Sequence, residues 1–253
     1  MAERWIEHGA AMIWAILGIL MGGVLKGATG AGAPILAVPA LTMAFDVRFA
    51  VAVMIVPNIL TNVWQAWGYR ASLLERGFVV RFLAAGVLGA VVGNLLLAWL
   101  PPEALSIAVA LAVLGYIGLR VLRPSFRLGY TIARRLAFPA GMLAGVLQGA
   151  TGLSAPASLT FLNAMRLERP QFIATASAFF VAMMLPQVPM LIALGILDGP
   201  RFLLGFAGAA VLALGMPVGA WIGRRLPAQV FDKLILGVLG LIAVRILYLA
   251  TTG

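Results

Sequence analysis

Residues 25–39 read L-K-G-A-T-G-A-G-A-P-I-L-A-V-P, an apolar run broken by Gly27, Thr29, Gly30, Gly32 and Pro34. Residues 147–156 read L-Q-G-A-T-G-L-S-A-P, identical to residues 25–34 at seven of ten positions. A surface loop has no reason to be this apolar or to recur. The repeated break reads as a pair of interrupted membrane helices whose irregular backbone builds a binding site.

The rest of the composition fits that setting. Of 253 residues, 63% are hydrophobic and 10% charged, with a mean hydropathy of +1.06. Soluble domains sit near 45–50% apolar, so this chain is an all-α polytopic membrane protein. The net charge of +10 lies mostly in short loops between apolar segments, the pattern that orients membrane proteins, and it does not point to nucleic acid. Cysteine is absent, which excludes disulfides, thiol chemistry and thiolate metal sites. Glu3, Arg4 and Glu7 give the N-terminus no net positive start, so the first apolar segment reads as retained. His8 reads as a solvated terminal residue.

Apolar segments fall at about 10–25, 34–45, 49–68, 78–99, 104–122, 136–148, 156–165, 171–196, 202–222 and 228–250. The long ones can cross ~30 Å of hydrocarbon, with Pro57 interrupting the third. The four short ones flank the two motifs in pairs. If each pair makes one crossing, the best orientation puts eleven basic residues inside. Six are then left outside: Arg48, Arg166, Arg169, Arg224, Arg225 and Lys233. If each pair dips in and returns, thirteen lie inside and only Arg4, Arg48, Arg201 and Arg245 outside. Lys26 lies within the membrane in both. The positive-inside rule favours the second threading.

That threading leaves each half with one re-entrant pair and three transmembrane helices, an odd number of crossings, so the halves are expected to be inverted repeats. Residues 113–122 (V-L-G-Y-I-G-L-R-V-L) and 238–247 (V-L-G-L-I-A-V-R-I-L) extend the repeat. Gly93 with Leu100-Pro101 likewise matches Gly219 with Leu226-Pro227. The expected organisation is a first repeat over 1–123, a basic cytoplasmic linker over 124–135 with Pro124 and Gly129 as turn formers, and a second repeat over 136–253.

Pro34 and Pro156 suit the first turn of a helix, where a missing N–H costs nothing. Neither Ala33 nor Ala155 can cap the helix that follows, so two uncapped N-termini, the positive ends of two dipoles, would face an anion. Gly27, Gly30, Gly32, Gly149 and Gly152 permit close backbone approach, either to a ligand or to a neighbouring helix. Thr29, Thr151 and Ser154 add hydroxyl donors. Lys26 has no obvious carboxylate partner, because all eight acidic residues read as loop or segment-end positions. An anionic ligand or the backbone carbonyls of the break would satisfy it. Its counterpart is the neutral Gln148. Asn58, Asn62 and Gln65 share one helix face beside Trp64 and Trp67. Gln187 stands at the position matching Gln65. Ligand contact and helix–helix hydrogen bonding account for these amides equally well. Asn94, Ser158 and Asn163 are further polar candidates. There is no nucleophile–base pair, metal cluster or P-loop, so neither an enzyme nor a cofactor is expected.

The stretches G-V-L-K-G-A-T-G-A-G-A-P-I-L-A-V-P-A-L (23–41) and G-V-L-Q-G-A-T-G-L-S-A-P (145–156) resemble the paired signature of the TauE/SafE membrane permeases. The similarity spans essentially the whole chain. Where many members carry G-x-G-G-G, Gly30 and Gly32 keep the start, and Ala33 and Pro34 replace later glycines. The resemblance implies a carrier that exports or imports sulfite, thiosulfate, sulfoacetate or another organosulfonate. The expected partners are a small anionic substrate and the lipid bilayer, with a homodimer left open. The expected location is a bacterial inner membrane. The mechanism expected is alternating access around a midplane site built by both motifs, with an uncoupled anion channel or uniporter as the alternative.

Overall fold

The computed structural model describes residues 2–122, 127–225 and 228–252, without the side chains of 2–8, 10, 228–232 and 252. Pro124, the Leu226-Pro227 turn and the His8 side chain therefore lie outside the described residues. Those residues form ten α-helices, one 3₁₀ turn at Arg70–Ser72, and no strand. The first half holds α1 (Ala2–Thr29), α2 (Ala33–Ala44), α3 (Val47–Gly68), α4 (Arg76–Trp99) and α5 (Pro102–Leu122). The second holds α6 (Tyr130–Thr151), α7 (Ala155–Ala164), α8 (Arg169–Ala193), α9 (Gly199–Arg225) and α10 (Ala228–Thr252).

Each motif is the tip of a helical hairpin. Gly30 and Gly32 adopt φ of 86° and 90°, and Gly152 adopts 71°, the left-handed region where only glycine is unstrained. The chain reverses there. Gly18 of α1 faces Ala40 of α2, and Gly22 faces Ala33 and Ala37, so the two limbs run antiparallel. In the second half, Leu128 N–H, just before α6, donates to Ala164 O at the end of α7 at 2.8 Å. A broken helix that kept its direction would hold those ends ~54 Å apart.

The limbs differ from the short pieces expected from the apolar pattern. α1 is a single helix through Gly22, Gly23 and Gly27, and its apolar part, Ala11–Thr29, is by itself long enough to cross a membrane. Glycine is tolerated inside membrane helices because neighbouring helices support the backbone, so the break begins at Gly30 and not at Gly27. Among the described residues, seven helices are long and apolar enough to span; α6 is excluded by composition, with Arg134 and Arg135 in its first turns. Pro57 does not interrupt α3, which continues through it.

The packing repeats as the sequence does. α1 lies on α9, and the counterpart of α1, α6, lies on the counterpart of α9, α4. Gly23 and Gly27 face the backbone carbonyls of Leu212 and Met216, while Gly215 and Gly219 face those of Leu20 and Val24. Likewise Gly145 and Gly149 face the carbonyls of Gly86 and Ala90, while Gly89 and Gly93 face those of Met142 and Val146. Small residues let these backbones touch, the usual basis of close helix association in lipid. α3 packs on α8, and α5 on α10, each against its own counterpart.

Two faces result. Arg120, Arg166 and Arg169 line one cavity on the basic face, where Glu75 also meets Arg134 at 3.8 Å and Tyr130 Oη at 3.1 Å. On the opposite face Arg48 clamps the end of α4, donating to the carbonyls of Leu97, Ala98 and Leu100 at 3.0, 3.1 and 2.9 Å. Asp46, Pro102, Glu103 and Ala250 share a depression there. A straight crossing by α6 and α7 would separate Arg166 and Arg169 from Arg120, so their convergence matches the threading in which each pair returns.

Candidate functional site

The two tips do not meet end to end. Gly32, the N-cap of α2, lies against Leu159 of α7, while Gly152 lies against Val38 of α2 and Val51 of α3. α2 and α7 thus run side by side and antiparallel, their N-termini overlapping by about 9 Å at 1.5 Å per residue. Each break reaches past the other, towards the face opposite its own hairpin's open end. Gly30 accordingly sits beside Ile173, one turn into α8 from the basic face.

A cavity of about 460 Å³ runs from the basic face to the first break. Leu25, Ala28, Thr29, Ala31, Gly32 and Ile35 form its deep wall, Leu159 to Phe172 its α7–α8 wall, and Tyr116 and Arg120 its α5 wall. Among the described residues Arg120, Arg166 and Arg169 are its charged lining, and no described Asp or Glu lines it. Arg166 adopts φ of 53°, in the left-handed region just past the end of α7. A side chain there costs roughly 1–2 kcal/mol relative to glycine, so the backbone is held in an unfavourable conformation where the guanidinium meets the cavity. At the first break α2 begins without a side-chain cap. Among the described residues nothing accepts from the N–H of Gly32 or Ala33.

The expected site residues divide into three groups. Thr29 and Gly32 line the cavity, beside Ala33 and Pro34 at the start of α2. Lys26, Asn58, Asn62 and Gln65 lie on the α3 side of the break. Lys26 is 1% exposed, and its Nζ donates to Asn62 Oδ1 at 2.8 Å; Asn62 Nδ2 in turn donates to Asn58 O at 2.9 Å. The lysine that lacked a visible partner in the sequence has one, a neutral side-chain carbonyl from another helix. It is not part of the cavity wall. Gln65 Nε2 donates to Gly30 O at 2.8 Å and Gln65 Oε1 accepts from Ser177 Oγ at 3.3 Å, which ties the tip to α3 and α8.

The third group surrounds the second break. Gln148 Nε2 donates to Gln187 Oε1 at 3.3 Å, Gln187 Nε2 to Gln148 O at 3.5 Å, and Ser154 N–H to Gln148 Oε1 at 3.3 Å. Gln187 therefore braces its break much as Gln65 braces the other. Pro156 sits in the first turn of α7, and Ser154, its N-cap, makes no capping bond; its hydroxyl is buried without a partner. Thr29 and Thr151 are not free donors: their hydroxyls bond to backbone carbonyls, Thr151 Oγ1 to Leu147 O at 2.7 Å and Thr29 Oγ1 to Leu25 O at 2.9 Å or Ala31 O at 2.7 Å. Gly27 and Gly149 serve helix packing, facing α9 and α4. The arginines of the cavity were counted in the sequence for orientation only. Their spacing of 46 and 49 residues from Arg120 carries no local signal, and only the hairpin brings them together. Ser177 left no trace in the pattern at all.

The fold and the site together define a polytopic helical membrane protein with two repeated hairpins and a basic vestibule that ends at a broken helix. Residues 14–246 match the family described as Sulfite exporter TauE/SafE, and the chain belongs to that family. No curated protein and no solved structure matches it.

Proposed function

We propose that this chain is a secondary carrier that moves a small oxidised-sulfur anion, sulfite, thiosulfate or an organosulfonate, across a bacterial inner membrane. The observation that carries the reading is the convergence of Arg166 and Arg169, beside Arg120, on a cavity whose described lining holds no Asp or Glu, floored by the uncapped N-terminus of α2. Guanidinium groups and backbone N–H groups suit sulfonate and sulfite oxygens through charge-assisted hydrogen bonds. Lys26 stands one turn before Gly30 and supports the tip from the α3 side. The halves act as inverted repeats. Rocking one against the other closes the first break to the basic face and opens the second to the opposite face. A carrier is favoured over an open pore because the cavity lining includes no residue from the opposite face.

The test is a thermal-shift screen of the purified protein against sulfite, thiosulfate, sulfate, sulfoacetate, taurine and matched carboxylates. A ligand at ~100 times its Kd stabilises by about 2.7 kcal/mol. The double variant Arg166→Gln/Arg169→Gln is expected to bind the best anion roughly 10- to 100-fold more weakly while keeping its own melting temperature. In proteoliposomes, uptake should saturate and accelerate with trans substrate. Linear flux without trans acceleration would instead establish a channel, and the absence of any anion-dependent shift would overturn the site.

A further inference from the structure

A second cavity, of about 430 Å³, lies on the outer surface of the bundle between α1, α2 and α10. Trp14, Leu17, Met21, Met43 and Leu241 are among its walls, and Arg245 is the one charged residue among its described lining. Trp14 is 55% and Leu241 76% exposed, so the groove opens towards the membrane. Arg245 lies inside the apolar span Lys233–Thr251, about 9 Å from its end, and is itself exposed. No hydrogen bond or ion pair joins Arg245 to another described residue. The nearby acids, Asp46 and Glu103, line a neighbouring depression with Ile246 and Leu249, and Asp46 caps α3 through Phe49 N–H.

A guanidinium at that depth is costly unless it reaches water or an anion at the interface. An anion within reach of a lipid-facing side chain there is a phospholipid phosphate, which the planar guanidinium fork fits. We propose that this groove binds one phospholipid, an acyl chain lying on Trp14, Leu17, Met21 and Leu241 and the phosphate on Arg245.

The repeat gives the site a consequence. Leu241 and Arg245 are the counterparts of Tyr116 and Arg120, which line the basic cavity. One copy of the element faces the anion path; the other faces lipid. On the carrier reading above, the bound lipid occupies the surface that the exchanged conformation would open to water. It therefore favours the conformation described here. The lipid site itself does not depend on that reading and is tested without transport.

The probe is phosphatidylglycerol with dibrominated acyl chains, titrated into delipidated protein in detergent. Quenching attributable to Trp14, taken as the difference between wild type and Trp14→Phe, is expected to saturate. One lipid should also remain bound in native mass spectrometry. Arg245→Gln is expected to weaken the titration roughly 10- to 100-fold and Arg245→Lys only a few-fold, with both melting like wild type in lipid-free detergent. Glycerol phosphate, the same headgroup without chains, should not compete. Equal quenching in Arg245→Gln, non-saturable quenching of Trp14, or competition by glycerol phosphate would each overturn the proposal.

Discussion

The pair Lys26–Asn62 offers a direct test of how the first break is held. Both side chains are buried, at 1% and 3% exposure, and the Nζ to Oδ1 distance is 2.8 Å. Asn62→Leu keeps the volume and removes two hydrogen bonds, the one from Lys26 and the one to Asn58 O. A hydrogen bond contributes about 1 kcal/mol and a buried polar group left without a partner costs about 1–3 kcal/mol, so the variant should lose about 2–4 kcal/mol. For a chain of this size that corresponds to a fall of roughly 5–15 °C in Tm. Part of the loss comes from stranding the Lys26 nitrogen without an acceptor. Lys26→Met therefore makes the second arm of a double-mutant cycle. In the Lys26→Met background, Asn62→Leu should cost about 1–3 kcal/mol less than in wild type. Thermal unfolding of the four proteins in one detergent, followed by tryptophan fluorescence, measures it. Additivity within ~0.5 kcal/mol would refute the bond and return Lys26 to the backbone of the break or to a ligand.

Arg166→Gly should relieve the left-handed backbone at φ 53° and raise stability by about 1 kcal/mol or less, while weakening anion binding; a fall in both would show that the arginine is structural. Gly149→Ala would place a Cβ 2.5 Å from Ala90 O and Asn94 N, and separating α4 from α6 should cost about 3 kcal/mol or more in thermal unfolding. Gly129→Ala, where a Cβ meets nothing within 4 Å, is the control. Single cysteines on this cysteine-free chain report the threading: Arg127→Cys should label from the cytoplasmic side and Glu103→Cys from the opposite side, and the reverse pattern would refute it.

The sequence by itself determined the class, the repeat and the place of both breaks. Composition allowed no other solvent than lipid. Gly30, Gly32 and Gly152 marked backbone that only glycine adopts, and the duplicated Pro34 and Pro156 marked where the return helices start. These are local signals, written in consecutive residues. Charge counting favoured the threading in which each pair returns, and the antiparallel limbs of α1 and α2 run that way. The limit of the first limb was misread, since Gly27 breaks nothing when α9 supports the backbone behind it.

Only the tertiary structure decided which polar groups face an anion and which hold the fold. Gly27 and Gly149 belong to the same motifs as Gly30 and Gly152 but pack against α9 and α4. Lys26 finds Asn62 36 residues away on α3. Arg120, Arg166 and Arg169 become one basic cavity because α7 returns beside α6 to the face where α5 ends. The overlap of α2 with α7 depends on how deep each hairpin runs, which close packing of glycine against backbone fixes. Such contacts join residues distant in the chain, and a partner that distant leaves no mark in the spacing of its neighbours.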